Sequence, residues 1–188
     1  GMPSVAGAVN RVWTENGKLS FETIGGSPPK GICGSGLIDL VAILRELDII
    51  DETGKMDENY KLCDNVTLSP LDVREIQLAK AAVAAGISVL LQSAKVKAEE
   101  LEVCIMAGGF GSYADAENLA RIGMIPRQLV SRAVAAGNAA GSGACSAALS
   151  EDAQNEIIKI SKKCNYIELS GNPAFSDAFI ELMPFDPF

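Results

Sequence analysis

Three clusters of glycine stand where the chain is predicted to enter helices. They occupy residues 31–36, 108–111 and 137–143, in the runs GICGSG, GGFG and GNAAGSG. Glycine lets a backbone approach a ligand closely, and the first turn of a helix presents unpaired amides at the positive end of its dipole. Such junctions suit the phosphates and ribose of a nucleotide. A single glycine turn more often serves close packing, so it is the recurrence of three that favours a binding site.

Polar side chains near the start of a long predicted helix are the next candidates. Glu75, Gln77 and Lys80 lie in its first turns. They fit an ordinary solvated face, and they also fit a helix that lies beside an adenosine and offers polar groups to its ribose and base. Phe110 allows two interpretations as well, because its ring could lie against a base or fill the core.

Several other chemistries are disfavoured by the residues present. The chain has no histidine, and its five cysteines form no CxxC pair, so we expect reduced thiols and no metal site built by this chain. Neither the GxGxxG dinucleotide pattern nor the GxxxxGK[ST] phosphate loop occurs. Any chemistry must therefore depend on positioning, backbone amides, lysine and carboxylates.

The charge balance limits the range of partners. A net charge of −8 disfavours binding to nucleic acid and to anionic membranes. No apolar run approaches the roughly 20 residues needed to cross a bilayer, and the first residues do not resemble a signal peptide. These features predict a soluble, cytoplasmic protein.

The N-terminal segments predict a hairpin followed by a helix. Residues 9–13 and 18–24 favour β-structure, and the intervening Asn16-Gly17 tolerates the positive φ angles of a tight turn. The apolar spacing of residues 37–47 predicts a helix, with Ser35 as its cap.

A polar stretch separates this helix from a longer one. Residues 51–65 predict a surface excursion between elements. Ser69, followed by proline and then Asp72, marks a helix start, and the helix is expected to reach Ala94.

The remaining segments alternate between strand and helix patterns. They predict a buried strand at 102–106, a helix at 115–122, a strand at 132–136, a helix ending near Leu149, a helix at 151–164, a strand at 166–169 and a final helix at 172–183. This alternation predicts one α/β domain over residues 1–188, with helices packed on a sheet that the early hairpin makes mixed.

Four blocks in the same order resemble the C-terminal region of the reductive activators of corrinoid proteins. They are residues 31–39 (GICGSGLID), 73–82 (VREIQLAKAA), 107–111 (AGGFG) and 137–144 (GNAAGSGA), and the closing YIELS at 166–170 is also similar. The resemblance spans essentially the whole chain. It implies one lobe of an RNase H-like, actin-like ATP-binding domain.

Members of that family pass one electron from an N-terminal [2Fe-2S] ferredoxin domain to an inactive Co(II) corrinoid protein, and ATP drives this step. The resemblance therefore implies ATP with Mg²⁺ as cofactor in the intact protein, and a corrinoid protein of a methyltransferase system as partner. A homodimer is a further expectation. The ferredoxin cysteines and the phosphate loops of the first lobe do not occur in this sequence, so we expect a part of a longer protein that hydrolyses ATP poorly by itself.

The resemblance also implies roles for individual residues. The expected nucleotide site consists of Gly108, Gly109, Phe110 and Gly111 against the adenine and ribose, Glu75 and Lys80 facing the ribose, and Gly34, Ser35, Gly137, Asn138 and Gly141 in the two other glycine clusters.

Two functions from other classes stay open. One is a docking or dimerisation module of actin-like fold without nucleotide, and the other is a lobe of a small-molecule kinase, since one fold hosts many reactions.

Overall fold

The computed structural model describes residues 1–111 and 113–188, with the backbone alone at residues 110 and 111. Strands β1 (Ala8–Glu15) and β2 (Lys18–Thr23) pair antiparallel. Asn16 and Gly17 join them with φ angles of 51° and 74°, the left-handed values that a two-residue hairpin turn requires. The predicted hairpin is confirmed.

Helix α1 (Gly34–Glu46) follows a short strand, β3 (Gly31–Ile32), which pairs parallel with β1. The sheet is therefore mixed, in the order β2-β1-β3, as expected. The helix begins three residues before the predicted start, and its N-cap is Cys33, without a side-chain capping bond. The prediction that Ser35 caps this helix is wrong, because Ser35 is already the second helical residue and its hydroxyl donates to the carbonyl of Asn10 instead.

Residues 51–65 form the predicted surface excursion, since most of them are exposed and Met56 alone among them is buried. The stretch leads into a hairpin that the sequence did not predict, in which β4 (Tyr60–Cys63) pairs antiparallel with β5 (Val66–Leu68). Met56, Val66 and Leu68 are buried in the same apolar cluster as helix α1 and strand β1. The strands of this hairpin are short and their apolar residues alternate with polar ones, so the sequence alone does not indicate them.

The longest element, α2 (Pro70–Ala94), begins with the predicted capping box. Ser69 Oγ accepts from the amide of Asp72 at 3.2 Å, and Asp72 Oδ2 accepts from the amide of Ser69 at 2.9 Å. Length and apolar composition alone would allow this helix to cross a membrane. In the fold it packs Val73, Ala81 and Ala84 inside the protein.

Strands β6 (Cys104–Ala107) and β7 (Ala133–Gly137) form a separate two-stranded parallel sheet. Strand β6 enters α3 (Gly108–Gly111), a single helical turn, and α4 (Ala116–Arg121) follows. The prediction of a buried strand here is wrong, because Ile105 is 63% exposed and its cross-strand neighbour Val134 is 53% exposed.

The C-terminal part is helical. Its helices are α5 (Ala139–Leu149), α6 (Glu151–Ser161) and α7 (Pro173–Glu181); α5 packs against α6, and α7 packs against α2. The strand predicted at 166–169 does not form. Tyr166 is exposed, and Glu168 instead accepts local hydrogen bonds from the Tyr166 hydroxyl at 2.6 Å and the Ser170 amide at 2.8 Å.

Candidate functional site

The turn at Gly108 and Gly109 is open to solvent. Both residues follow directly from strand β6, and Gly108 has a φ of +85° that favours glycine. A Cβ built on either residue would meet, apart from its chain neighbours, no heavy atom of the described residues within 4 Å. The structure therefore presents bare main chain at this turn rather than a packed core.

The start of helix α1 faces the same turn. Gly34 and Ser35 line a cavity of about 120 Å³ together with Ser4 and Gly109. The first amides of a helix have no acceptor within it, and here no side chain caps them. Two of the three predicted glycine clusters thus meet across one cavity, which suits a negatively charged group.

Hydrogen bonds to strand β1 fix the orientation of this helix start. Cys33 Sγ donates to the carbonyl of Val9 at 3.4 Å, and Ser35 Oγ donates to the carbonyl of Asn10 at 2.8 Å. Gly36 lies so close to the strand that a Cβ there would collide with the carbonyl oxygen of Val9. Because the Ser35 hydroxyl already donates its hydrogen to Asn10, the donor that Ser35 can offer an anionic ligand is its amide.

A second cavity, of about 290 Å³, reaches Ala107, the residue before the glycine turn, and is almost wholly apolar. Its lining residues come from α2, β6 and the segment around α4: Ala79, Val83, Met106, Ala107, Ala114, Leu119, Met124 and Ile125. Glu75 is exposed one turn before Ala79 on the same face of α2, since residues four apart in a helix share a face. Glu75 therefore lies on the face of α2 that lines the cavity, one turn before the lining begins.

Lys80 occupies a different place from the one expected. Its side chain is fully buried, and its ammonium donates to the carbonyl of Pro184 and lies 5.6 Å from the centre of the Phe185 ring. Burial lowers the pKa of Lys80 from 10.5 to about 8, against an opposing effect of the Asp186 carboxylate. The expected contact with ribose is corrected, because the C-terminal residues cover this ammonium.

The third glycine cluster reaches the same edge of the sheet. Gly137 pairs with Ala107 at the end of the two parallel strands, so it lies beside the residue that precedes Gly108. Asn138 Oδ1 accepts from the amide of Gly141 at 3.0 Å and thereby caps helix α5. A Cβ at Gly141 would collide with the Asn138 side chain. Asn138 and Gly141 thus build a helix start next to the glycine turn.

The predicted contact of Phe110 falls on a side chain outside the described residues, and Gly111 is described by its backbone in α3 alone. Within residues 1–111 and 113–188 there is no group of three histidine, cysteine or carboxylate side chains placed to hold a metal ion. The donor set therefore does not fit an iron-sulfur cluster or a fully protein-coordinated magnesium ion.

Sequence reasoning missed the pair Asp39 and Asn118. Asp39 is 3% exposed; its Oδ2 accepts from the Val12 amide at 3.1 Å and its Oδ1 accepts from Asn118 Nδ2 at 2.8 Å. Burial raises the pKa of Asp39, although both hydrogen bonds oppose this effect. A lone carboxylate within the otherwise apolar run of residues 37–44 was the available signal for this pair. Ser4 carried no signal in the sequence.

The mixed α/β architecture, with a glycine turn facing a helix start, fits the class of actin-like domains, and comparison with known proteins identifies the class and the family. Residues 1–186 match the family model described as the C-terminal domain of RACo, the ASKHA domain. The chain belongs to this family, and the actin-like fold predicted from the resemblance is confirmed.

This chain is similar to one part of several longer proteins. The corrinoid activation enzyme RamQ of Eubacterium limosum is 31% identical over 209 residues, which cover 96% of this chain and 35% of that protein. The [Co(II) methylated amine-specific corrinoid protein] reductase of Methanosarcina barkeri is 27% identical over 80% of this chain and 28% of that protein. A solved structure, a reductive activator for corrinoid, iron-sulfur protein, aligns with a TM-score of 0.89 and 33% identity over 100% of this chain and 34% of that one. This chain spans about a third of their length.

Proposed function

We propose that this chain is the nucleotide-binding lobe of an ATP-dependent reductive activator of corrinoid proteins. The observation that carries the proposal is the open turn at Gly108 and Gly109, which lies between a helix start and an apolar cavity. A nucleotide needs both environments, because its base is a flat ring with little charge and its phosphates are anions.

The two cavities suggest how the lobe would hold the nucleotide. The base would enter the apolar cavity against Ala79 and Val83, and the ribose would cross the glycine turn within reach of Glu75. The phosphates would lie at the amides of Gly34 and Ser35, where the dipole of α1 favours negative charge. Magnesium would be held mainly by the phosphates, since the described residues offer no cluster of three side chains that could hold the ion without them.

ATP would supply the free energy for an uphill one-electron reduction of Co(II) to Co(I) in a partner corrinoid protein. The names of the relatives support this role and favour it over a small-molecule kinase. The [2Fe-2S] group would belong to another part of a longer protein. A cytoplasmic location and a homodimer remain predictions.

A matched pair of glycine variants tests nucleotide binding by calorimetric titration with Mg-ATP. Gly109→Leu places a side chain over the turn, whereas Gly143→Leu places the same side chain at another open glycine, in α5. Neither position has the positive φ that would strain leucine. We expect Gly109→Leu to weaken ATP binding at least about tenfold, or about 1.4 kcal/mol, and Gly143→Leu to leave it unchanged. Equal affinities in all three proteins would reject the proposed site.

Exposed apolar residues support a second candidate, a docking module. Ile105, Val134 and Leu149 are 63%, 53% and 88% exposed, and a parallel sheet is normally covered on both faces. Unchanged ATP affinity in Gly109→Leu would favour this alternative. For the proposed activator, the same variant in the full-length protein should abolish ATP-dependent loss of the Co(II) electron paramagnetic resonance signal of the corrinoid partner.

A further inference from the structure

The small cavity at the start of α1 has walls from two distant parts of the chain. Gly34 and Ser35 form one wall, and Gly109 forms the other. Asn118 Nδ2 in α4 donates to Asp39 Oδ1 in α1 at 2.8 Å, behind these walls. This part-buried hydrogen bond acts together with the more exposed ion pair of Arg121 with Glu46, which also joins α4 to α1. The width of the cavity therefore depends on how α4 sits against α1.

Asp39 connects three elements through one carboxylate. While Oδ1 accepts from Asn118, Oδ2 accepts from the amide of Val12 in β1 at 3.1 Å. The side chain is 3% exposed, so its charge depends on these two donors. Removing a donor from a buried carboxylate lowers the stability of the fold, because water cannot replace the lost hydrogen bond unless the structure opens.

Helix α4, which contains Asn118, follows the glycine turn in the chain. Asp115 Oδ1 accepts from the amide of Asn118 at 3.0 Å and caps the helix. Leu119 of α4 lines the same apolar cavity as Met106 and Ala107 at the end of β6. Because Gly108 follows Ala107 directly, a displacement of α4 relative to α1 would act on the turn through this packing.

We propose that Asp39 and Asn118 are positioning residues that hold the Gly108–Gly109 turn at a fixed separation from the N-terminus of α1. The fixed separation lets both walls contact one bound phosphate chain. The functional consequence rests on the proposed nucleotide site, whereas the positioning itself is a property of the fold.

Exchanging the two side chains gives a sharp test. Asn118→Asp puts two carboxylates opposite each other. In the double variant Asp39→Asn/Asn118→Asp, the new amide at position 39 can accept from Val12 and donate to the new carboxylate at position 118. We expect Asn118→Asp to weaken Mg-ATP binding by about tenfold or more, Asn118→Ala to weaken it by a smaller factor, and the double variant to recover an affinity within about threefold of the original.

Two further measurements separate positioning from general loss of stability. Val66→Ala removes buried apolar volume from β5, which lines neither cavity, so it should lower stability and leave ATP affinity unchanged. In ¹H–¹⁵N spectra without nucleotide, Asn118→Asp should shift the amide resonances of Gly34 and Gly109, and the double variant should return them.

These outcomes distinguish the two claims. If the original protein fails to bind Mg-ATP but the resonances of Gly34 and Gly109 shift and recover as described, the proposed function is rejected and the positioning inference stands. If the double variant recovers neither the resonances nor the affinity, or if Asn118→Asp changes neither, the positioning inference is overturned. Asn118→Ala provides the same spectral comparison should the two facing carboxylates prevent folding.

Discussion

Burial of Lys80 should make the stability of this protein rise with pH in the alkaline range. The ammonium is fully buried, donates to the carbonyl of Pro184 and lies over the ring of Phe185. These contacts compensate only part of its lost hydration, and the pKa of Lys80 falls from 10.5 to about 8. Replacing the residue by methionine, in Lys80→Met, removes the titration and retains most of the apolar volume.

The sign of the effect follows from the protons bound in each state. Between pH 8 and 10.5 the unfolded chain still carries a proton on Lys80 that the folded chain has released. The free energy of unfolding therefore increases with pH across this window. Each pKa unit corresponds to about 1.4 kcal/mol, so the full increase amounts to about 3 kcal/mol as an upper value.

Urea unfolding at intervals between pH 7 and 10.5 measures this increase. The difference in unfolding free energy between the original protein and Lys80→Met cancels the titration of all other groups, and it should grow by up to about 3 kcal/mol in favour of the original. Lys163→Met, at an exposed lysine, serves as control and should give a constant difference. Asp186→Asn removes the carboxylate that opposes the shift, so the increase should begin at lower pH. Parallel pH profiles for Lys80→Met and the original protein would refute this account of the buried ammonium.

Three further substitutions test individual contacts by the same unfolding measurement. Gly36→Ala should cost about 1–3 kcal/mol, because the added methyl collides with the Val9 carbonyl; a smaller loss would mean that the helix and strand can separate easily. Ser69→Ala should cost about 1 kcal/mol by removing the N-cap of α2, and no loss would show that the capping box is dispensable. Ile105→Ser should change stability by no more than about 0.5 kcal/mol, since this side chain is exposed, and a large loss would reveal a covering partner such as a second copy.

Elements with strong local determinants could be predicted from the sequence. The hairpin turn at Asn16-Gly17 and the capping box at Ser69 each depend on residues within a few positions of one another. Elements that depend on distant partners were mispredicted. Met56 is buried because the chain folds it against α1, and residues 166–169 form no strand because no neighbouring strand pairs with them. Neither the burial of Met56 nor the lack of a partner strand can be read from the residues nearby in the sequence.

The candidate site shows the same division. Glycine clusters predicted that α1 and the turn after β6 would be ligand-facing junctions, and the structure brings Gly34, Ser35 and Gly109 to one cavity. The prediction for Lys80 was wrong because helical position alone does not tell which face the C-terminal residues will cover. The apolar cavity could not be foreseen either, since its lining comes from segments separated by up to 46 positions, from Ala79 to Ile125.

Glycines that look alike in the sequence serve opposite purposes in this fold. Gly36 and Gly141 have no room for a Cβ, so their small size permits protein to pack against protein. Gly109 has open space toward the described residues beyond its chain neighbours, so packing against them does not require its small size. Gly36 nevertheless contributes to the same candidate site. Its small size lets α1 approach β1 closely enough for the Ser35 hydroxyl to donate to the Asn10 carbonyl, and the first amides of α1 then face the cavity. In this fold, the open Gly109 of one cluster thus faces a helix start that the packed Gly36 of another cluster fixes, and this division of roles supports the proposed nucleotide site.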